Sequence, residues 1–201
     1  MADTTIGGLS QGIPDKGSAI IPFSDGSTTY KTSPSGIVAA SPGSVIQVVQ
    51  GVKTDTQLIL GTTYTDVVGL SATIKPRSSS NKILISASVY GGNSGYYGYL
   101  RLNRNGTDIC MPTDVGSRTN AACSAILGLY TANGGTGYAV TCANITFLDS
   151  PNTTNLLSYK IRASSYDSTQ YTRINGSYTF RDTANYDPIT VSTITLSEIA
   201  G

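Results

Sequence analysis

The sequence of 201 residues contains no histidine, no tryptophan and a single glutamate, Glu198. Histidine is the side chain that most readily transfers protons near neutral pH, and it is the commonest metal ligand in proteins. Because the aspartates are also scattered, the sequence identifies neither a nucleophile with its base nor a pair of catalytic carboxylates. We therefore expect no catalytic residues, no metal site and no cofactor, and we predict that the protein is not an enzyme.

Charge of either sign is scarce. Thirteen basic and twelve acidic residues nearly cancel, and charged residues make up only 12% of the chain, about half the share of an ordinary soluble domain. No cluster of lysines and arginines suits nucleic acid or an anionic membrane. No apolar run approaches the roughly 18 residues that span a bilayer, and the first residues lack the basic and apolar regions of a secretory signal. The sequence predicts neither nucleic-acid binding nor membrane insertion.

Cysteines are few and odd in number: Cys110, Cys123 and Cys142. They have no CxxC spacing and lie in or beside apolar runs, which favours three free, buried thiols over one disulfide with one free thiol. The segment 182–188 gathers three candidate oxygen ligands, for which calcium is conceivable. Because it lacks the spacing, the glycine and the terminal glutamate of an EF-hand, we expect a polar turn there.

The chain is rich in serine, threonine, glycine (22 residues) and tyrosine (13 residues). Beyond residue 44, apolar and polar residues alternate with period two, which predicts strands with one buried face. Segments 45–50 and 138–148 are apolar on both sides and predict central or interface strands. In the last strand the apolar parity changes twice, between Val191 and Ile194 and between Leu196 and Ile199, which predicts a bulge or burial on both faces. The predicted inward sets are Val68, Leu70, Ala72 and Ile74; Ile83, Ile85, Ala87 and Val89; and Leu157, Tyr159, Ile161 and Ala163.

Two Asn-Gly pairs, at 105–106 and 175–176, lie between short strand-like segments. Asn-Gly favours the type I′ turn, so both pairs predict β-hairpins. No segment has convincing helical periodicity. We therefore predict an all-β fold in which residues 44–201 form an antiparallel, jelly-roll-like β-sandwich, preceded by an extended N-terminal arm.

Residues 1–43 differ from the rest of the chain, because they are short apolar islands separated by Gly, Ser and Pro. Asp25-Gly26 supplies a turn, and the Ser- and Pro-rich segment 32–44 is typical of a linker. Such a segment builds no core alone, so it is either a disordered tail or an arm that becomes ordered against a partner. The candidate anchoring residues are Ile6, Leu9, Ile20, Ile21, Phe23 and Tyr30.

A glycine-rich segment, 91–99, contains three tyrosines close together. If Leu100 and Leu102 face the core, the alternate side chains face outward. Tyrosine combines a flat apolar ring with a polar tip and suits both sugar binding and packing on a neighbouring subunit. Both interpretations stay open for this candidate contact surface, which comprises Tyr96, Tyr97, Tyr99 and Arg101.

The order of several short motifs resembles that of bacteriophage virion-surface proteins of the tail-fibre and capsid-decoration type, cyanophage proteins among them. Residues 20–31, after the island 6–9, resemble virion-anchoring arms. The matching stretches of the body are 45–49, 64–66, 69–76, 78–85, 102–106, 148–154 and 196–199.

The resemblance implies a location on the virion surface, a homotrimer, and docking on the major capsid protein or on tail proteins. The chain lacks the repetitive or coiled-coil shaft of a long fibre, which favours a compact decorating, cement or knob protein. The alternative is a tail-fibre module that binds host surface glycans. A virion protein is also made without an export signal, in agreement with the N-terminal sequence.

Overall fold

The computed structural model describes residues 21–24, 29–32, 41–113, 116–118, 120, 124–127, 138–182 and 185–201. Within these residues the chain forms strands and no helix. The strands are β1 Ile21–Ser24, β2 Thr29–Thr32, β3 Val45–Lys53, β4 Gln57–Leu60, β5 Thr65–Ile74, β6 Lys82–Asn93, β7 Tyr97–Arg104, β8 Thr107–Ile109, β9 Ser124–Leu127, β10 Thr141–Asp149, β11 Leu157–Ser165, β12 Tyr171–Ile174 and β13 Ser192–Ile199.

Strands β1 and β2 form a separate two-stranded antiparallel sheet. Its register places Ile21 opposite Thr32 and Phe23 opposite Tyr30. Neither strand pairs with any other strand that the structure describes. The predicted turn at residues 25–26 lies outside the described residues.

The six-stranded sheet is organised around β6, which is the longest strand. Strand β6 pairs with β10 along one side; on its other side it pairs first with β13 and then, beyond residue 88, with β12. The outer strands of this sheet are β10, β3, which pairs with β13, and β4, which pairs with β12. All of these pairings are antiparallel.

The five-stranded sheet has the order β5-β11-β7-β8, and β9 also pairs with β7. The two sheets pack face to face on one apolar core that includes Ile85, Leu196, Leu102 and Ile161. Between β4 and β12 the chain crosses repeatedly from one sheet to the other, as in jelly-roll sandwiches. The predicted all-β antiparallel sandwich is confirmed; the division of the chain at residue 43 stays a prediction.

The alternation of apolar and polar residues correctly predicted much of the buried core. All four predicted inward residues of β6 and all four of β11 are buried. At the first Asn-Gly pair, Asn105 and Gly106 have φ values of 48° and 92° and join β7 to β8, which confirms the predicted hairpin. The predicted irregularity of the last strand is a register shift between Glu198 and Ile199.

Four local predictions are wrong in detail. Val68 is 68% exposed and Val67 is buried instead, because Gly69 adopts a φ of +81° and shifts the parity of β5. Asn175-Gly176 forms no hairpin; Gly176 instead makes a β-bridge to Ile189. Segments 45–50 and 138–148, predicted to be central or interface strands, are not central, because β3 and β10 flank the sheet; the interface alternative stays a prediction. Of the cysteines expected to be buried, Cys142 is exposed and Cys110 is half-buried, while Cys123 lies outside the described residues.

Candidate functional surfaces

Cross-strand ion pairs cover the outer face of the five-stranded sheet. Asp66 on β5 binds Lys160 and Arg162 of β11, with N–O distances of 2.6 Å and 3.4 Å. Asp108 on β8 binds Arg162 at 3.3 Å and Arg101 of β7 at 3.0 Å. Burial alone raises the pKa of Asp108, but hydrogen bonds from Asn103, Arg101 and Arg162 outweigh it and hold the pKa below its usual value. This face is therefore a connected, hydrated network of charges across four strands.

The predicted tyrosine surface forms at one end of the same sheet. As expected, Leu100 is buried and Tyr97 is exposed. The rings of Tyr97 and Tyr99 stack with their centroids 6.2 Å apart, and Tyr96 packs edge-on against Tyr166 at 5.2 Å. The sequence thus placed these tyrosines together on an exposed surface but did not identify Tyr166 as their neighbour.

Arg101 differs from the tyrosines because its guanidinium already has partners. The group lies 3.8 Å from the ring centroid of Tyr64, and it donates to the backbone oxygen of Asn120 in addition to Asp108. These contacts hold Arg101 in the sheet, so a ligand-binding role for it would require their replacement. Its predicted role in sugar or subunit contact stays a prediction, as does that of the three tyrosines.

The predicted anchoring residues are only partly described. Ile6, Leu9 and Ile20 lie outside the described residues. The other three lie in the β1–β2 hairpin, in which Phe23 and Tyr30 occupy directly opposed positions. Their role in docking stays a prediction.

A second aromatic surface lies around β12 and the loop that follows it. The guanidinium of Arg173 lies 4.2 Å from the ring centroid of Phe180, and that of Arg181 lies 4.2 Å from the ring of Tyr138. Tyr171 contacts Tyr178 at a centroid distance of 5.6 Å. The Nε atom of Arg173 is buried, and no hydrogen-bond partner for it occurs in the described part of the chain.

Asp187 fixes the loop that carries this second surface. Its carboxylate accepts hydrogen bonds from the hydroxyls of Ser177 and Thr179, and from the backbone N–H and Nε of Arg181, the last two at 3.0 Å. Burial alone raises the pKa of Asp187, but these bonds dominate and lower it strongly. The carboxylate of Asp187 is therefore satisfied by hydrogen bonds from its own loop, and among the described residues no group of His, Cys, Asp or Glu could hold a metal ion.

Two further carboxylates are engaged in structural networks between strands. Asp149 at the end of β10 accepts a 2.6 Å hydrogen bond from the hydroxyl of Tyr159 and binds Arg104, so it joins the two sheets. Burial and the nearby Asp149 carboxylate raise the pKa of Tyr159. Glu198 is fully buried and accepts three hydrogen bonds, including one from Asn81. Both carboxylates hold the fold rather than face a cleft.

No protein-family model matches this chain, and no curated protein matches it in sequence. Among solved structures it is similar to the infectious bursal disease virus Gt strain structure, with 12% identity, a TM-score of 0.38 and 89% of this chain covered. The VP2 subviral particle of the same virus gives 11% identity, a TM-score of 0.35 and 90% coverage. The chain spans 46% of the length of each of these chains. Values this low carry no statement about function.

None of the described segments forms a helix of the length and apolar character that crossing a bilayer demands.

Proposed function

We propose that this protein is a non-enzymatic structural protein of a virion surface, a homotrimer that docks through residues 1–43 on a capsid or tail protein. In this proposal it serves as a decorating, cement or short knob protein. The observation that carries the proposal is the separate β1–β2 hairpin ahead of a sandwich with its own core. The motif order described above, which resembles phage virion-surface proteins, supports the same assignment.

An isolated two-stranded hairpin is marginally stable in water, because it cannot bury both of its faces. Strands β1 and β2 pair with no described strand of the sandwich, and we infer that a surface of the virion stabilises the hairpin. Docking would bury apolar residues such as Phe23 and Tyr30, each of which stabilises by about 1.5–3 kcal/mol when fully buried, before ordering costs.

The first test is the copy number of this chain per purified virion, measured by quantitative mass spectrometry against the major capsid protein. Copies on the order of hundreds indicate decoration of an icosahedral shell, whereas a few dozen or fewer indicate a tail position. Complete absence from purified virions overturns the proposal.

The second test removes residues 1–43. The remaining chain contains the whole described core, so its circular dichroism should still report a folded β-protein. It should no longer decorate virions that lack the chain, whereas the full-length protein should decorate them. Equal decoration by both proteins would show that the arm is not the anchor.

Recognition of host surface glycans is a second candidate function, favoured by the exposed ladder of Tyr97 and Tyr99. Paired tyrosine rings offer an apolar platform with hydroxyl groups at its rim. Substituting both residues by Ala should reduce adsorption to host cells without loss of assembly. Tyr186→Ala is the matched control, because Tyr186 is exposed on the second aromatic surface. Unchanged adsorption of the double variant to host cells would refute this candidate function.

A further inference from the structure

The outer face of the six-stranded sheet contrasts with the charged face described above. Residues directly opposite each other share a face, and the register aligns β3, β13, β6 and β10 in rows of four outward positions. No charged residue occurs in these rows. The three rows are Val48, Ser197, Leu84 and Leu148; Gln50, Thr195, Ser86 and Thr146; and Val52, Thr193, Ser88 and Asn144.

This uncharged face is accessible in the single chain. Val48 is 57% exposed and Leu148 is 46% exposed. Both flanking strands, β3 and β10, pair on one side only among the described strands. Proteins usually protect such strands with charges, because open edges and neutral faces invite association. Here the acidic and basic side chains of the sheets' outer faces are concentrated on the opposite sheet, and the first uncharged row begins at Leu84, two residues after Lys82.

The neutral face continues toward the second aromatic surface. Beyond the three rows, Cys142 lies opposite Tyr90, and Tyr171 and Arg173 of β12 lie opposite exposed leucines of β4. Tyr and Arg are the side chains that contribute most often to the energetic centre of protein interfaces. Together with the twelve positions of the three rows, these six make eighteen, which is close to the roughly 20–30 residues per partner of a standard stable interface.

We propose that a second copy of this chain packs on the uncharged face. The core of an interface is depleted of charge, because each buried charge must lose its hydration. When two copies pack through this face, no ionised side chain of the three rows loses its hydration. The charged outer face of the five-stranded sheet stays in water in both copies. The charged side chains of a charged partner would meet no side chain of opposite charge in these rows. The inference rests on the part of the proposed function that assembles the chain with itself.

Introduced charge tests this assignment. Ser86→Lys and Thr146→Glu each place one charge in the middle row, at exposed positions that a single chain tolerates. Thr73→Lys is the matched control, since Thr73 is exposed on the outer face of the five-stranded sheet. Sedimentation velocity of the full chain, from about 1 to about 100 µM, should show an assembled wild type and control, with association at least tenfold weaker in both face variants.

Cys142 provides an independent readout, because its exposed thiol lies on the uncharged face beside Asn144. Alkylation of Cys142, followed by peptide mass spectrometry, should be slower in the assembled wild type than in Ser86→Lys at equal concentration. Circular dichroism confirms that each variant is folded.

A monomeric wild type overturns the inference, and so does a face variant that assembles like the control. Equal alkylation of Cys142 in assembled and dissociated protein also overturns it, because the face would then be uncovered. None of these outcomes changes the copy number on virions, so failure of this inference is distinguishable from failure of the proposed virion role.

Discussion

The strongest prediction about stability concerns Glu198, the only glutamate of the chain. Its carboxylate is fully buried near the end of β13. The atom Oε1 accepts hydrogen bonds from Asn81 Nδ2 and from the backbone N–H of Arg77, both at 2.6 Å, and Oε2 accepts one from Gln47 Nε2 at 2.5 Å. The residue therefore ties β13 to β3 and to the loop that precedes β6.

Glu198→Gln keeps the shape of the side chain and removes its charge. The new amide oxygen can still accept from Asn81 and Arg77, but the amide NH₂ then faces the NH₂ of Gln47. A hydrogen bond to a charged group contributes about 1.5–3 kcal/mol, and a neutral bond about half of that. One lost bond and two weakened bonds, less the smaller desolvation of an amide, should lower the free energy of unfolding by about 2–4 kcal/mol.

The pH dependence of the effect identifies its cause. Burial alone raises the pKa of Glu198, but the hydrogen bonds from Asn81, Gln47 and the Arg77 N–H outweigh it and lower the pKa. A carboxylate with a lowered pKa in the folded state contributes stability above its unfolded pKa of about 4.3 and loses it as the pH falls through the folded value. The difference between wild type and Glu198→Gln should therefore be largest near neutral pH and shrink in acid.

Urea denaturation of both proteins at several pH values measures this difference. Asp182→Asn, which removes the same charge from an exposed position, is the control and should change stability little. The reasoning is refuted if Glu198→Gln unfolds within about 0.5 kcal/mol of wild type near neutral pH. A difference that stays constant into acid would also refute it, since the carboxylate charge would then not be its source.

Three further predictions concern other parts of the sandwich. Tyr159→Phe removes the hydrogen bond to Asp149 and should lower the free energy of unfolding by about 1.5–3 kcal/mol; because burial and Asp149 raise the pKa of Tyr159, the wild-type advantage in urea denaturation should disappear as the pH rises above 10. Gly51→Ala would place a Cβ 2.1 Å from the backbone oxygen of Ser71, so thermal unfolding should report a loss of about 1–3 kcal/mol, and an unchanged melting temperature would contradict this close approach of the sheets. Asp187→Asn should loosen the loop that Asp187 fixes and speed tryptic cleavage after Arg181, whereas Asp182→Asn should not.

The sequence predicted those features that depend on neighbouring residues. Alternation identified the buried faces of β6 and β11, because a half-buried strand needs nothing more than period two. Asn105-Gly106 was identified as a hairpin because its positive φ values are a local property of those two residues.

The sequence did not predict the features that depend on residues far apart in the chain. At Asn175, the side-chain amide donates to the backbone oxygens of Lys53 and Asp55, and its carbonyl accepts from Ser192. These contacts, far away in sequence, replace the expected hairpin. The prediction of an outward-facing Arg101 was correct, but its partners Asp108 and Asn120 depend on how β7 and its neighbouring chain segments meet. The uncharged face likewise exists only once the register of four strands is known.

The position of β13 has a consequence for the order in which the protein can fold. This strand lies between β3 and β6. The side chain of Gln50 on β3 donates a hydrogen bond to Thr195 on β13, and these two residues are 145 positions apart in the sequence. Such non-local pairing slows folding, because a long loop must close before its contacts form. During synthesis, β3 and β6 leave the ribosome long before their common neighbour exists. The six-stranded sheet is therefore completed only once residues 192–199 are available, and until then the facing edges of β3 and β6 stay unpaired, which exposes them to aggregation.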